Sequence, residues 1–481
     1  MKLKELLREI VPTRLLGSAE QEITGICYDS RKVTPGSLFV AIKGFQSDGH
    51  AYIGKALELG ACALLVQDVP ENLPETVACI QVPDTRKALA QVAAVWYGHP
   101  ERELKLIGLT GTNGKTTVTH LIRHMLEQTG EKCGLIGTNG VFFGEVARES
   151  ARTTPESLEL YGILREMADA GMTCCAMEVS SHSLVLDRVL GLPFAAAAFT
   201  NLTQDHLDFH GDMEQYYLAK KRLFDRCDTA VINTDDSWGA RLAGEITGKT
   251  ITLSARTVEA ELVAKNVRLL PDGVQAVVVR DCDIARMSLA IPGMFSVYNG
   301  LTAVGCCLAL GMPLEQACEA LASASGIKGR AEIVPTGRDF TVMIDYSHTP
   351  DSMENILRTV RGYAKGRVIG LFGAGGDRDK EKRPIMGRIA QEGCDLAIVT
   401  SDNPRSEEPE AIINDILAGM DSKARPKVIP DRREAIAWAV KNARKDDIIV
   451  LMGKGQETYQ EIGGVKHHLD EREEVARALA E

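Results

Sequence analysis

The stretch Gly108–Thr117 reads GLTGTNGKTT, and the fold of the whole chain turns on it. Leu104–Leu109 before it is apolar and predicts a strand, and Val118–Leu126 after it predicts a helix. Between them runs a loop punctuated by Gly111 and Gly114 and ending in Lys115-Thr116-Thr117. A strand, a glycine-rich turn and a helix N-terminus together make a phosphate cradle. Backbone N–H groups and the positive end of the helix dipole face the anion. Lys115 is placed to reach terminal phosphates and Thr116 to hold a magnesium ion. The strict G-x-x-x-x-G-K-[ST] spacing wants glycine at 109, where this chain has Leu109. A nucleotide-binding unit is the expectation, and a plain strand-to-helix turn the alternative.

The chain around this loop has 481 residues, too many for one core, and at about 150 residues per domain roughly three are expected. Its hydrophobic fraction of 44% and charged fraction of 25% suit a soluble globular protein. No apolar run reaches membrane-spanning length, and the opening MKLKELLREIV spaces Leu3, Leu6, Leu7 and Ile10 as a structural helix, not a signal sequence. The twelve cysteines are scattered, include the adjacent pairs Cys174-Cys175 and Cys306-Cys307, and form no C-x-x-C. They read as reduced thiols of a cytoplasmic protein. A net charge of −11 argues against nonspecific nucleic-acid binding.

Residues up to about Tyr97 intermix short strands and helices: Gly25–Asp29, Ser37–Ile42, Tyr52–Leu59, Ala63–Val66 and Thr85–Tyr97. The loops Asp29-Ser30-Arg31 and Lys43–His50 read as turns when taken alone. His99-Pro100-Glu101-Arg102-Glu103 reads as a solvated linker. A central unit then alternates strand and helix to about Gly329, as a parallel sheet with crossovers requires. In it, Arg152-Thr153-Thr154-Pro155-Glu156 opens a helix with Pro155 at its first position. Strand Cys174–Met177 leads into Glu178, a carboxylate at a strand end where magnesium chemistry belongs. A Glu-Ser-His hydrolase grouping there lacks a G-x-S-x-G elbow.

Asp205, His206, Asp208 and His210 crowd FTNLTQDHLDFH, where either metal ligation or plain solvation is possible. Lys220 and Lys221, on the helix Gly211–Arg222, read as surface lysines, and Asn299 reads as the cap of a helix Gly300–Leu310. Gly326–Glu332 is the second boundary.

The last unit repeats a strand-then-loop pattern: Val368–Phe372 into GAGGDRDK, Leu396–Thr400 into Ser401-Asp402-Asn403-Pro404-Arg405, and Ile448–Met452 into Gly453-Lys454-Gly455-Gln456-Glu457. Ligands of open parallel sheets bind at strand carboxyl ends, so the three loops are expected to converge. Arg378 stands where a dinucleotide fingerprint starting at Gly373 needs glycine, which argues against a nicotinamide cofactor. Arg378, Asp402, Asn403, Arg405 and Glu457 suit a ligand carrying carboxylate and ammonium together.

TGTNGKTT, AMEVSSH, FTNLTQDHLDFHGD, YYLAKKRLF, NGLTA, GRAE, DYSHTPDS, GAGGDRDKEKRP, SDNPRSE and MGKGQE, in this order, resemble the Mur ligases over nearly the whole chain. The family's own phosphate loop has the TGTNGKTT form, so Leu109 fits it. The resemblance implies an α/β protein of three domains. These are an N-terminal UDP-binding domain (1–98), a central P-loop parallel-sheet ATPase (99–329) and a C-terminal Rossmann-like amino-acid-binding domain (330–481). It implies ATP-dependent amide formation in cytoplasmic peptidoglycan precursor synthesis. The γ-phosphoryl passes to the D-glutamyl side-chain carboxylate of UDP-N-acetylmuramoyl-L-alanyl-D-glutamate, and the acyl phosphate is then attacked by an amino acid's amine.

By family position Gly111, Thr112, Asn113, Gly114, Lys115, Thr116 and Thr117 hold ATP, with Asn299, Arg330, Asp345 and His348 around the adenosine and the domain joint. Thr116 and Glu178 hold a first Mg2+ and His206 a second, and Lys220 becomes a metal-binding carbamate (N6-carboxylysine). Lys115, Glu178, His206 and Lys220 are thus the implied catalytic set. Ser30 matches the uridine site, and Thr153, Thr154, Ser180 and Arg188 match contacts to the muramoyl-dipeptide. Arg378, Asp402, Asn403, Pro404, Arg405, Gly453 and Glu457 match the amino-acid pocket, in the wording that selects meso-diaminopimelate over lysine. Arg405 would pair the distal carboxylate, and with lysine bound it would be left buried without a partner. A lysine-adding or folylpolyglutamate-synthetase-like ligase, or an uncoupled P-loop regulatory protein, are the alternatives. A monomer without nucleic-acid or membrane partners is expected.

Overall fold

A computed structural model describes residues 1–44, 47–324, 326–421 and 426–480. The fold is α/β with several sheets, and the chain forms two compact units. One comprises Met1–Thr110, Gly130–Ala197 and Ala219–Asp228; the other comprises Gly111–Thr129, Ala198–Leu218 and Thr229–Glu481.

In the first unit a five-stranded sheet runs in the order Arg14–Leu16, Ala78–Gln81, Ala63–Val66, Ser37–Val40, Gly25–Cys27. Only its first strand is antiparallel. Ser37–Val40 and Ala63–Val66 are buried along their whole length, as the continuous apolar runs of a doubly covered sheet demand. Leu38, Val40 and Leu65 pack on one face with Leu3, Leu6 and Leu89; Phe39, Leu64 and Val66 pack on the other with Ile53 and Ala56. Of the loop Lys43–His50, Phe45 and Gln46 lie outside the described residues.

The same unit carries strand Lys105–Thr110, which leads into the phosphate loop, paired in parallel with Cys174–Glu178, itself parallel to Cys133–Gly137. The antiparallel strands Gly140–Phe143 and Val146–Arg148 extend it. Two expectations need correcting here. The helix after Thr154 spans Ser157–Asp169 with Glu156 as its N-cap, so Pro155 precedes the cap and does not open the first turn. The linker is not solvated throughout: Pro100–Arg102 form a 3-10 turn in which Pro100 and Glu101 are buried, and Glu101 accepts from His99 Nδ1 at 2.9 Å.

In the second unit, helix Lys115–Gln128 begins at the phosphate loop. Strand Lys249–Ser254 pairs in parallel with the strand ending at Asn233 and with Leu262–Leu270; the latter continues antiparallel through Gly273–Arg280 and Asp283–Leu289. Asn299 does not cap a helix. The helix spans Met294–Ala309, capped by Gly293, and Asn299 is buried inside it because apolar and small residues run unbroken on both sides.

A six-stranded sheet in this unit runs Glu332–Val334, Thr341–Asp345, Ile448–Met452, Val368–Phe372, Leu396–Val399, Lys427–Val428, parallel except for its first strand. Its central strands are the apolar runs read from sequence. All twelve cysteines are free thiols, and seven of them are buried as small core residues. Among the described residues no helix is long and apolar enough to cross a membrane.

Candidate active site

The phosphate loop is tied down from outside. Thr112 N donates to Asn201 O at 2.9 Å, Thr112 Oγ1 to Thr203 O at 3.1 Å, and Asn113 N to Asn201 Oδ1 at 2.9 Å. Thr200 Oγ1 donates to Asn113 O at 2.6 Å, and Asn113 Nδ2 to Asp351 Oδ2 at 2.8 Å. The FTNLTQDH segment is therefore the backing of the loop, a role its residue types alone do not disclose. Both loop glycines are required: Gly111 and Gly114 have φ of +140° and +90°. A Cβ on Gly111 would lie 1.9 Å from Thr200 Oγ1, and one on Gly114 2.5 Å from Asn299 Oδ1. Lys115 Nζ folds back to donate to Gly111 O at 3.0 Å and Thr112 O at 2.8 Å. Thr116 and Thr117 are buried in the first helical turn.

Arg330 Nη2 donates to Thr116 Oγ1 at 2.8 Å, and the Arg330 guanidinium lies 4.7 Å over the Tyr346 ring. Asp345 accepts from Ala331 N at 2.7 Å and from Ser347 Oγ, yet burial lifts its carboxyl above the usual range. His348 is held by its Nδ1 against Tyr346 O at 2.8 Å. In the same unit Asp205 is buried, with His206 Nε2 at 3.4 Å and Lys382 Nζ at 3.9 Å. Burial alone would raise Asp205, but His206, Lys382, His348 and Lys115 outweigh it and hold the carboxyl down at about 2. The structure thus brings the loop, Asn299, Arg330 and the Asp205 cluster together within one unit.

Burial, and then the charge of Lys382, pushes His348 down to about 4. Its folded value lies below its unfolded value of about 6.5, so the unfolded chain binds the extra proton between these limits. Folding stability is therefore expected to fall as pH drops from about 6.5 to 4, by up to about 3 kcal/mol, and to change no further from this group below that. Melting temperatures across this range check it: His348→Gln should flatten the profile relative to the parent, and parallel profiles would contradict the assignment.

In the first unit Glu178 closes its strand and is buried, with Oε1 accepting from Thr138 N at 2.8 Å and Oε2 from Thr138 Oγ1 at 3.1 Å. Thr138 Oγ1 meets Thr153 Oγ1 at 3.1 Å. Thr154 Oγ1 donates to Glu178 O at 2.9 Å and accepts from Ser180 N at 3.1 Å, while Arg188 Nη1 donates to Thr154 O at 3.2 Å. Glu178, Thr153, Thr154, Ser180 and Arg188 thus form one connected group. Ser30 is buried at the start of a 3-10 turn capped by Asp29. Lys220 is only 1% exposed, which overturns its reading as a surface lysine. The helical face carrying Tyr216 and Tyr217 takes Lys220 inward with it.

The three strand-end loops of the C-terminal sheet do converge. A Cβ on Gly453 would lie 2.4 Å from Asp402 Oδ2. Asn403 Nδ2 donates to Glu457 Oε2 at 2.9 Å, and a Cβ on Gly376 would strike Pro404 O. Arg378 and Arg405 both flank Gly375, and Arg405 Nη1 donates to Gly376 O at 2.7 Å. Sequence reasoning passed over Lys454, which is fully buried and donates to Asn403 Oδ1 at 3.0 Å and Glu457 Oε2 at 2.9 Å. Its place between Gly453 and Glu457 in MGKGQE was the available signal. Arg405 is not a buried cation awaiting a ligand: its side chain is 23% exposed and its Nε lies 3.4 Å from Glu461 Oε2. The expected cost of stranding it is correspondingly smaller.

Family models match the chain in three places: the Mur ligase middle domain at 109–307, the Mur ligase glutamate ligase domain at 329–455, and the Mur ligase family catalytic domain at 22–97. The chain is 45% identical over 484 residues to UDP-N-acetylmuramoyl-L-alanyl-D-glutamate--2,6-diaminopimelate ligase of Clostridioides difficile, covering 100% of both. It is 46% identical to the protein of that name from Caldanaerobacter subterraneus subsp. tengcongensis, covering 100% of this chain and 99% of the relative. A solved structure of a ligase of the same name superposes with a TM-score of 0.70 at 30% identity, covering 100% of this chain and 99% of the other. The MurF ligase of Thermotoga maritima, solved with ADP, shares the fold at a TM-score of 0.63 and 18% identity, over 91% and 94% of the two chains. With domain models matched across most of its length and full-length relatives at this identity, the chain belongs to the Mur ligase family.

Proposed function

We propose that the chain is an ATP-dependent acid–amino-acid ligase. It joins meso-diaminopimelate to the D-glutamyl side-chain carboxylate of UDP-N-acetylmuramoyl-L-alanyl-D-glutamate through an acyl phosphate, in the cytoplasm and as a monomer. The domains are 1–98 for UDP, 99–329 for ATP and 330–481 for the incoming amino acid. One observation carries the reading beyond nucleotide binding: the pocket at the strand ends of the C-terminal sheet. There Arg378 and Arg405 flank Gly375, while Asp402, Asn403 and Glu457 gather around buried Lys454. A P-loop alone would suit any hydrolase; a second site with both signs of charge suits an amino-acid acceptor. The full-length relatives carry the name of the diaminopimelate-adding ligase, which does not favour a lysine-adding, folylpolyglutamate-synthetase-like or uncoupled regulatory alternative.

A carboxylate is a poor electrophile, and phosphorylation gives it a leaving group. The protein's part is then positioning and charge neutralisation among several anions. Lys115 leaves its loop carbonyls for the β- and γ-phosphates, and the amides from Gly111 to Thr117 cradle them. Asn299 fixes Gly114. Arg330, with Asp345 and His348 beside it, serves the adenosine side. Ser30 serves the uridine, and Thr153, Thr154, Ser180 and Arg188 the muramoyl-dipeptide. Arg378, Asp402, Asn403, Pro404, Arg405, Gly453 and Glu457 seat the amino acid. By family position Thr116 and Glu178 would supply oxygen donors to a first Mg2+, and His206 a nitrogen to a second. Lys220 would bind metal only as its carbamate. Bound there, Mg2+ would neutralise phosphate charge.

The test is a product assay by mass spectrometry with ATP, the UDP-dipeptide and a panel of amino acids. The D-glutamyl carboxylate is labelled with oxygen-18. The expected outcome is a meso-diaminopimelate adduct with label in the released phosphate. Unlabelled phosphate would sink the acyl phosphate, and lysine consumed as efficiently would sink the pocket assignment.

A further inference from the structure

Strand Tyr459–Ile462 lies beside the Asp402–Arg405 loop and is stitched to it. Gln460 Nε2 donates to Asp402 O at 2.7 Å and Glu461 N to Asn403 Oδ1 at 2.9 Å. Arg405 N donates to Glu461 O at 3.0 Å, and Gly463 N to Arg405 O at 2.7 Å. The clip holds Arg405 at a φ of +53°, which residues with a side chain adopt only when their surroundings fix it. It also places the Glu461 carboxylate 3.4 Å from Arg405 Nε, with the two side chains 28% and 23% exposed. The other carboxylates of the pocket are already engaged: Glu457 lies 2.9 Å and Asp402 3.9 Å from Lys454 Nζ. Glu461 is thus the acid that shares Arg405 with whatever charge a ligand brings.

Resting on the reading of this pocket as the seat of an amino acid with a charged distal end, we propose that Glu461 is a specificity-determining residue. It is an internal counter-ion that sets how sharply Arg405 discriminates. With Glu461 present, a distal carboxylate must compete for the guanidinium and meets a like charge. A distal ammonium, repelled by Arg405, finds an anion beside it. Glu461 therefore softens the preference that Arg405 creates, and the hairpin that carries it tunes the acceptor range.

Two single-charge probes separate this from a merely structural role. 2-Aminopimelate carries only a distal carboxylate, and lysine only a distal ammonium. In Glu461→Gln, KM for 2-aminopimelate is expected to fall about fivefold and KM for lysine to rise about fivefold, with kcat unchanged for both. Glu461→Asp, which keeps the charge, should retain the parental order. Glu461→Thr, which suits a strand, provides a second uncharged variant with the same expected shifts. A structural role moves both probes in one direction. A common shift, or none, in an enzyme that still forms the meso-diaminopimelate amide would overturn the proposal. Failure of the parent to form an amide with any amino acid would instead overturn the functional reading beneath it.

Discussion

Lys115→Ala is expected to lower phosphoryl transfer by about three orders of magnitude while leaving the affinity for the UDP-dipeptide within about twofold. The structure explains why the loss should be confined to chemistry. The loop keeps its shape through Thr112, Asn113, Thr200 and Asn201, whose bonds do not involve the lysine side chain. The residues proposed for the UDP-dipeptide, Ser30, Thr153, Thr154, Ser180 and Arg188, are placed by other elements. On binding ATP, Lys115 would exchange its bonds to the loop carbonyls for a charge-assisted bond to a phosphate, the stronger kind. Single-turnover phosphate release and calorimetric titration of the UDP-dipeptide measure the two halves separately. Lys115→Arg keeps the charge but not the compact head, and should recover only part of the rate. Turnover within tenfold of the parent would remove the cradle from the mechanism.

The contrast between what the residues foretold and what they concealed is physical. The strands Ala63–Val66, Val368–Phe372 and Ile448–Met452 were fixed by apolar runs ending in turn residues, and the structure keeps those boundaries. Local patterns carry such information because a doubly covered strand has no polar face to confuse them. Helix ends were less secure. Pro155 satisfied the rule for a first helical position, but Glu156, ringed by Arg86, Arg152 and Arg188 at 3.3 to 3.5 Å, takes the cap position instead.

The site residues divide in the same way. Gly111, Gly114 and Lys115 announce themselves by spacing. The burial of Asn299, Lys220 and Lys454 comes from long-range packing that no window of sequence contains, and only the family likeness singled out the first two. Glu461 carried no signal at all. Its meaning depends on a hairpin crossing to a loop 56 positions earlier, where Arg405 stands.

Lys220→Ala is expected to cost two to three orders of magnitude in turnover, roughly what the loss of one well-placed charge costs in an active site. Acetate or formate at high concentration should restore part of that activity. Lys220 is 1% exposed, so its side chain is turned into the protein and not to solvent. The family position implies carboxylation by carbon dioxide, in which the neutral amine would form an N–C bond, a proton would leave, and the side chain would become an anion able to face a metal. Two readouts separate this from a packing role. Intact-protein mass after trapping of the carbamate should show one carboxyl group more in the parent than in Lys220→Arg. Added carboxylates should rescue Lys220→Ala, whose shortened side chain leaves room for them, and should not rescue Lys220→Arg, which keeps a cation in the space. Equal activity of all three proteins would show that the position contributes only bulk. Rescue of Lys220→Ala by small amines in place of acids would show that a cation, and not a carbamate, acts there.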